Sequence, residues 1–253
     1  MVRGLGLFRE SFEVYQDRYV LIGGTASTLL MEEAGLSFRA TKDLDIVLCI
    51  ETFDAEFARA FWEFVKMGGY SNRQRSTGKR LLYRFNEPSR NEYPEMLELF
   101  SRVPDALAIE DTSHLTPIPA GEEVASLSAI LLDPDYYGFI HSGKRILDGL
   151  PIVGPDRLIP LKARAWLDLK DRHAAGERID DRDVRKHRND IVRLYSLLDP
   201  VVPVAVPDLI RDDLRRFVSI LPDERGLNLP NLGLRNTTIG EIVRTLSGIF
   251  GLS

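Results

Sequence analysis

Asp43-Leu44-Asp45-Ile46-Val47-Leu48-Cys49-Ile50 is apolar on both faces except at its first and third positions. An apolar run of this length reads as a buried strand, and two aspartates spaced by one residue point to the same side of it. Ionised carboxylates held that close repel each other. A divalent cation between them removes the repulsion, and an all-oxygen ligand set suits magnesium or manganese. Magnesium keeps open positions for phosphate oxygens, so the pair Asp43 and Asp45 points to a phosphoryl-containing substrate.

Just upstream, Tyr19-Val20-Leu21-Ile22 reads as a short buried strand running into Gly23-Gly24-Thr25-Ala26-Ser27. Thr25 is placed to cap a helix with Ala26, Leu29 and Leu30 on its inner face and Gly35 as its stop. A helix start offers free backbone N–H groups and a positive dipole end, and glycines let an anion approach. Gly23, Gly24, Thr25 and Ser27 are therefore the expected phosphate cradle. Two-metal chemistry asks for a third carboxylate. In Pro94-Glu95-Met96-Leu97-Glu98-Leu99-Phe100, Glu98 has apolar neighbours on both sides and is the first choice, with Glu95 as the alternative.

Phe8, Phe12 and Tyr15 fall at helical spacing, as do Phe53, Phe57, Phe61 and Phe64 before Gly68-Gly69. Leu81 to Phe85 and Met96 to Phe100 supply two more strands. The segment Ser71 to Phe85 holds Arg73, Arg75, Lys79, Arg80 and Arg84 and no acidic residue, which suggests a basic loop. From Ala125 to Val153, short apolar runs broken by Asp133-Pro134-Asp135, His141-Ser142-Gly143 and Asp148-Gly149 predict further β-structure and hairpins. At Gly154-Pro155 the pattern turns helical and stays so. The expected organisation is an α/β (α+β) core over 1–154, a mixed sheet flanked by helices, followed by a helical region over 155–253.

The chain has 253 residues, 44% of them apolar, and a net charge of −5, so any nucleic-acid contact must come from a local patch. Between Lys162 and Arg193, Lys and Arg outnumber Asp and Glu, and this strip is the candidate for an RNA backbone. Cys49 has no partner cysteine, and its place on a buried strand suggests packing. The first residues lack a secretion signal and no run suffices to cross a bilayer, so no membrane contact and a cytoplasmic location are expected. His114, His141, His173 and His187 lack metal-ligand spacing, and no zinc site is expected.

The order strand, Gly-Gly, helix, Asp-Leu-Asp-Ile resembles the nucleotidyltransferase (polymerase beta-like) superfamily. More narrowly, Gly23-Gly24-Thr25-Ala26 with Arg39-Ala40-Thr41-Lys42-Asp43-Leu44-Asp45 is similar to the AbiEii/AbiGii toxin family of nucleotidyltransferases. Leu161-Lys162-Ala163-Arg164-Ala165 resembles that family's third motif. Lys186-His187-Arg188-Asn189-Asp190 resembles its fourth, with Lys186 and Asp190 matching, which implies that these two bind the nucleotide. The interval from Gly24 to Asp43 is longer than is usual in the superfamily.

The resemblance implies transfer of a nucleoside monophosphate from a triphosphate to an acceptor hydroxyl with release of pyrophosphate. Asp43, Asp45 and Glu98 would hold magnesium or manganese, and Lys162 would steady the departing phosphates. It also implies tRNA or another RNA as acceptor, and a cognate antitoxin as partner. Other readings stay open on the residues alone. Lys186 and Asp190, at i,i+4, could be a surface ion pair. The whole could be a nucleotide-binding regulatory module without turnover, or a glycosyltransferase that uses its Asp-x-Asp pair for a nucleotide-sugar.

Overall fold

Alternation along the strands dictates what each face of the first unit carries. In the computed structural model, which describes residues 2–49, 51–52, 54–72, 83–100 and 133–252, the chain divides into two compact units, Met1–Gly154 and Pro155–Ser253. The first begins with helix α1 (Leu5–Ser11), strand β1 (Tyr19–Leu21), helix α2 (Gly23–Glu33) and strand β2 (Asp43–Leu48). Helix α3 (Ala55–Gly68) and strands β3 (Ser71–Asn72), β4 (Tyr83–Asn86) and β5 (Met96–Phe100) follow. Helix α4 (Pro134–Ser142) and strands β6 (Lys144–Leu147) and β7 (Leu150–Val153) close the unit.

The described strands form one mixed sheet in the order β3-β4-β5-β2-β1-β7-β6. β2 lies parallel to β5, and β1 parallel to β7, while the other neighbours are antiparallel. Tyr19 stands opposite Leu48, so its ring shares a face with Leu44, Ile46 and Leu48. There Phe8 of α1 and Phe12 just after it meet Phe57, Phe61 and Phe64 of α3 and the Tyr19 ring, with centroids 4.5 to 6.3 Å apart. Phe85 of β4 joins the same cluster through Phe61 at 5.8 Å. The other face of β2 is left with Asp43, Asp45 and Val47.

α3 begins where Asp54 accepts from the Phe57 N–H at 2.9 Å and ends at Gly69, whose φ of 62° only glycine adopts cheaply. α2 ends with Gly35 at φ 70°, as its sequence suggested, but Thr25 is not its cap. The helix starts earlier, at Gly23, and Thr25 lies inside its first turn.

The β-only reading of Ala125 to Val153 needs a larger correction, its part before residue 133 lying outside the described residues. Asp133-Pro134-Asp135 opens helix α4: the Asp133 side chain accepts from the N–H groups of Asp135 and Tyr136, at 2.8 and 3.3 Å, and Pro134 takes the first turn. Asp-Pro is a helix start as readily as a turn, because proline loses nothing where the N–H has no intrahelical partner. The hairpin β6–β7 does form, turning through Asp148 (φ 49°) and Gly149 (φ 72°).

The second unit is helical among its described residues: α5 (Pro155–Ala174), α6 (Asp181–Tyr195), α7 (Asp208–Ile220) and α8 (Ile239–Phe250). Trp166 and Phe217 meet edge to face at 5.3 Å in its core. Thr238 and Glu241 form a reciprocal capping box at the start of α8. Among the described residues, no helix is long and apolar enough to cross a membrane.

Candidate active site

Sheet register decides which charged groups meet. β2 and β5 run parallel with Asp43 opposite Met96 and Asp45 opposite Glu98. Neighbouring residues in register point to the same face, so Glu98 joins Asp43 and Asp45 on the side away from the aromatic cluster. On β4, Arg84 stands opposite Glu98, and its Nε donates to Glu98 Oε1 at 2.5 Å. Asp45 and Glu98 are buried, at 7% and 3% exposure, while Asp43 is half-buried.

Burial, and after it the charge of Asp45, push the Glu98 carboxyl well above the ordinary 4.5. Asp43 adds to the rise and Arg84 opposes it. Among the described residues, Asp45 and Asp43 thus act on the Glu98 carboxyl, with the Arg84 guanidinium against it. Glu95 lies elsewhere: its carboxylate takes Lys42 Nζ at 2.7 Å, with both side chains largely in solvent. Of the two glutamates, Glu98 is the one in register with Asp45.

The glycine turn meets this cluster directly. Gly23 has φ 64°, and a Cβ built on it would lie 1.7 Å from Asp45 Oδ2. A Cβ on Gly24 would lie 2.3 Å from Thr41 Oγ1. The Gly24 N–H points at Asp45 Oδ2 over a long 3.4 Å, and the Ile22 N–H donates to the Asp45 carbonyl at 3.0 Å. The glycines therefore let the Asp45 carboxylate reach the start of α2, where the helix dipole favours negative charge. The Thr25 hydroxyl donates to the Asp43 carbonyl at 2.7 Å, and the Ser27 hydroxyl to the Gly23 carbonyl at 2.6 Å. Both hydroxyls spend their donors on the backbone, Thr25 tying α2 to β2.

Among the described residues, no three His, Cys, Asp or Glu side chains stand grouped as ready-made metal ligands. Glu98 is held by Arg84, and Asp45 faces the Gly24 N–H. The donor chemistry nevertheless fits a hard divalent cation, with oxygen ligands of excess negative charge on one sheet face beside a turn that only glycine can make.

Lys162, Lys186 and Asp190 belong to the second unit. Lys162 of α5 donates to Asp190 Oδ2 of α6 at 2.9 Å, and Arg193 lies 3.5 Å from Asp190 Oδ1. Asp190 is fully buried, which overturns its reading as half of a surface pair with Lys186. Arg164, also in the motif-like stretch, pairs with Asp213 at 2.9 Å.

In the sequence, Arg84 stands out no more than Arg73, Arg75, Lys79 and Arg80 of the same basic stretch, which lie outside the described residues. The signal that separates it is alternation: Arg84 has its charge on the face opposite buried Phe85, as Glu98 does between Leu97 and Leu99. Cys49 is buried, with Sγ 3.3 Å from His141 Nδ1 and 3.7 Å from Lys144 Nζ, and burial raises its pKa above the ordinary thiol value despite Lys144.

No protein-family model matches the chain, and no curated protein matches it either. Among solved structures, it is similar to an antigenic nucleotidyltransferase-like protein from Paracoccidioides brasiliensis, with a TM-score of 0.46 and 15% identity over 99% of this chain and 100% of that chain. A likeness at that level assigns no activity to this chain.

Proposed function

We propose that the first unit is the catalytic unit of a metal-dependent nucleotidyltransferase, which moves a nucleoside monophosphate from a triphosphate to an acceptor hydroxyl. The observation that carries this reading is the placement of Asp43, Asp45 and Glu98 on one sheet face, with the Gly23-Gly24 turn against Asp45. Three carboxylates crowded onto a largely buried face cost stability, and a fold keeps such a cost where a cation is to be bound. Magnesium or manganese bound there supplies charge neutralisation and a template for in-line displacement at a phosphoryl group.

In this reading Asp43 and Asp45 hold the cation, and Glu98 stands beside them as the third carboxylate. Gly23 and Gly24 bring the α2 N-terminus to the same place, where N–H groups favour phosphate once the Asp45 charge is taken up by the cation. The proposed location is cytoplasmic. Asp45→Asn keeps the fold, since it relieves repulsion on Glu98, and weakens magnesium-dependent triphosphate binding by about 100-fold. Titration of the wild type and the variant with each nucleoside triphosphate in magnesium measures this, and equal affinities would refute the site.

The activity itself is tested with each labelled nucleoside triphosphate, magnesium and total cellular RNA, with Asp45→Asn alongside. Label appearing in RNA only with the wild type supports transfer to RNA. Label on the protein redirects the acceptor to a protein hydroxyl. Triphosphate bound but never consumed replaces the enzyme with a nucleotide-binding module.

A further inference from the structure

We infer that Arg84 is a positioning residue that withholds Glu98 from the cation site, so that the first divalent cation is taken by Asp43 and Asp45 alone. The inference rests on the cation-site reading above. It begins with the register: Arg84 is the direct cross-strand neighbour of Glu98, and Glu98 that of Asp45, so the three side chains share one face across β4, β5 and β2. Arg84 Nε to Glu98 Oε1 is 2.5 Å, with the side chains 17% and 4% exposed. A charge-assisted hydrogen bond between two buried side chains is a strong polar contact, and a cation seeking Glu98 must displace it.

Charge arithmetic points the same way. Asp43, Asp45 and Glu98 carry three negative charges when ionised and Arg84 carries one positive, leaving two, which a single divalent ion neutralises. A second divalent ion would leave the face positive until a further anion arrives, such as the triphosphate itself. Arg84 therefore orders assembly: one ion first on the two β2 carboxylates, and Glu98 recruited only when something more negative draws Arg84 away. Guanidinium geometry serves this role because it is permanently charged and can turn to a phosphate as well as to a carboxylate.

The test uses the intact chain and Mn2+ without nucleotide, with free Mn2+ followed by its electron paramagnetic resonance signal and folding checked by thermal melting. The wild type is expected to take one Mn2+ per chain. Glu98→Gln keeps that ion with affinity within about threefold, because Glu98 does not hold it, while Asp45→Asn loses it. Arg84→Gln frees Glu98 for the ion and tightens binding by about tenfold or admits a second Mn2+, whereas Arg84→Lys, which keeps the charge, behaves as the wild type.

Loss of Mn2+ in Glu98→Gln as complete as in Asp45→Asn overturns the inference and leaves the cation site standing. Weakened binding in a folded Arg84→Gln does the same. Undiminished Mn2+ binding in Asp45→Asn overturns the cation site and this inference together. Should Arg84→Gln fail to fold, the Glu98→Gln arm decides by itself.

Discussion

The two units each bury a cluster of charge, and the clusters are built to opposite plans. In the second, Asp190 has a cation at each carboxylate oxygen, Lys162 on one side and Arg193 on the other. In the first, Glu98 has Arg84 on one oxygen and two further carboxylates acting on it, and its proton is held well above the ordinary value. The buried Asp190 carboxylate ties α5 to α6 through Lys162, with a cation facing each of its oxygens. A buried carboxylate crowded by carboxylates is a cost, and in the reading proposed above a bound cation would offset it. The same residue types thus sit in opposite balances of charge in the two units.

That contrast is broken most directly at Asp190. Asp190→Ala removes the carboxylate facing the buried Lys162 ammonium, and the expected loss of stability is about 3–5 kcal/mol. Urea denaturation followed by circular dichroism measures it. A loss below about 1 kcal/mol would place this pair with solvent-screened surface bridges and remove the structural half of the comparison.

Gly23→Ala is expected to be the next largest effect, about 2 kcal/mol or more, from the same measurement. It forces a side chain into φ 64° and sets its Cβ 1.7 Å from Asp45 Oδ2. Because the clash is with the carboxylate, the double variant Gly23→Ala/Asp45→Ala should lose less than the sum of its parts. Additive losses would show that Gly23 serves the backbone turn alone and has no bearing on the carboxylate face.

Strand pattern and aromatic spacing made most of the first unit legible, because β1, β2, β5 and α3 each bury a face whose period is printed in the residues. Asp43 and Asp45 were legible for the same reason: two charges in an apolar run have few explanations. What could not be read was pairing between distant segments. Glu98 opposite Asp45, and Arg84 opposite Glu98, follow from the β4-β5-β2 register, which no local pattern specifies. Helix α4 was hidden because Asp133-Pro134 serves a turn and a helix start equally well. Asp190 could be read from its motif match or from its i,i+4 spacing to Lys186, and neither pattern reveals Lys162 of α5 as its buried partner.

The smallest expected effect is also the one that reads the carboxylate face most directly. Glu98 has a folded-state pKa raised above its ordinary 4.5, mainly by burial and then by Asp45. Below that ordinary value the carboxyl is protonated in folded and unfolded chains alike and contributes no difference. As pH rises above it, the unfolded chain releases the proton while the folded chain still holds it, so stability falls until the raised folded value is passed. Glu98→Gln cannot release a proton and keeps an oxygen for Arg84. Its stability, measured with chelator present, should match the wild type near about pH 4 and exceed it near about pH 8. At Asp190, where a cation faces each oxygen, Asp190→Asn is expected to lower stability instead. Parallel curves for Glu98→Gln and the wild type would mean that Arg84 alone balances Glu98, and the two clusters would then follow one plan.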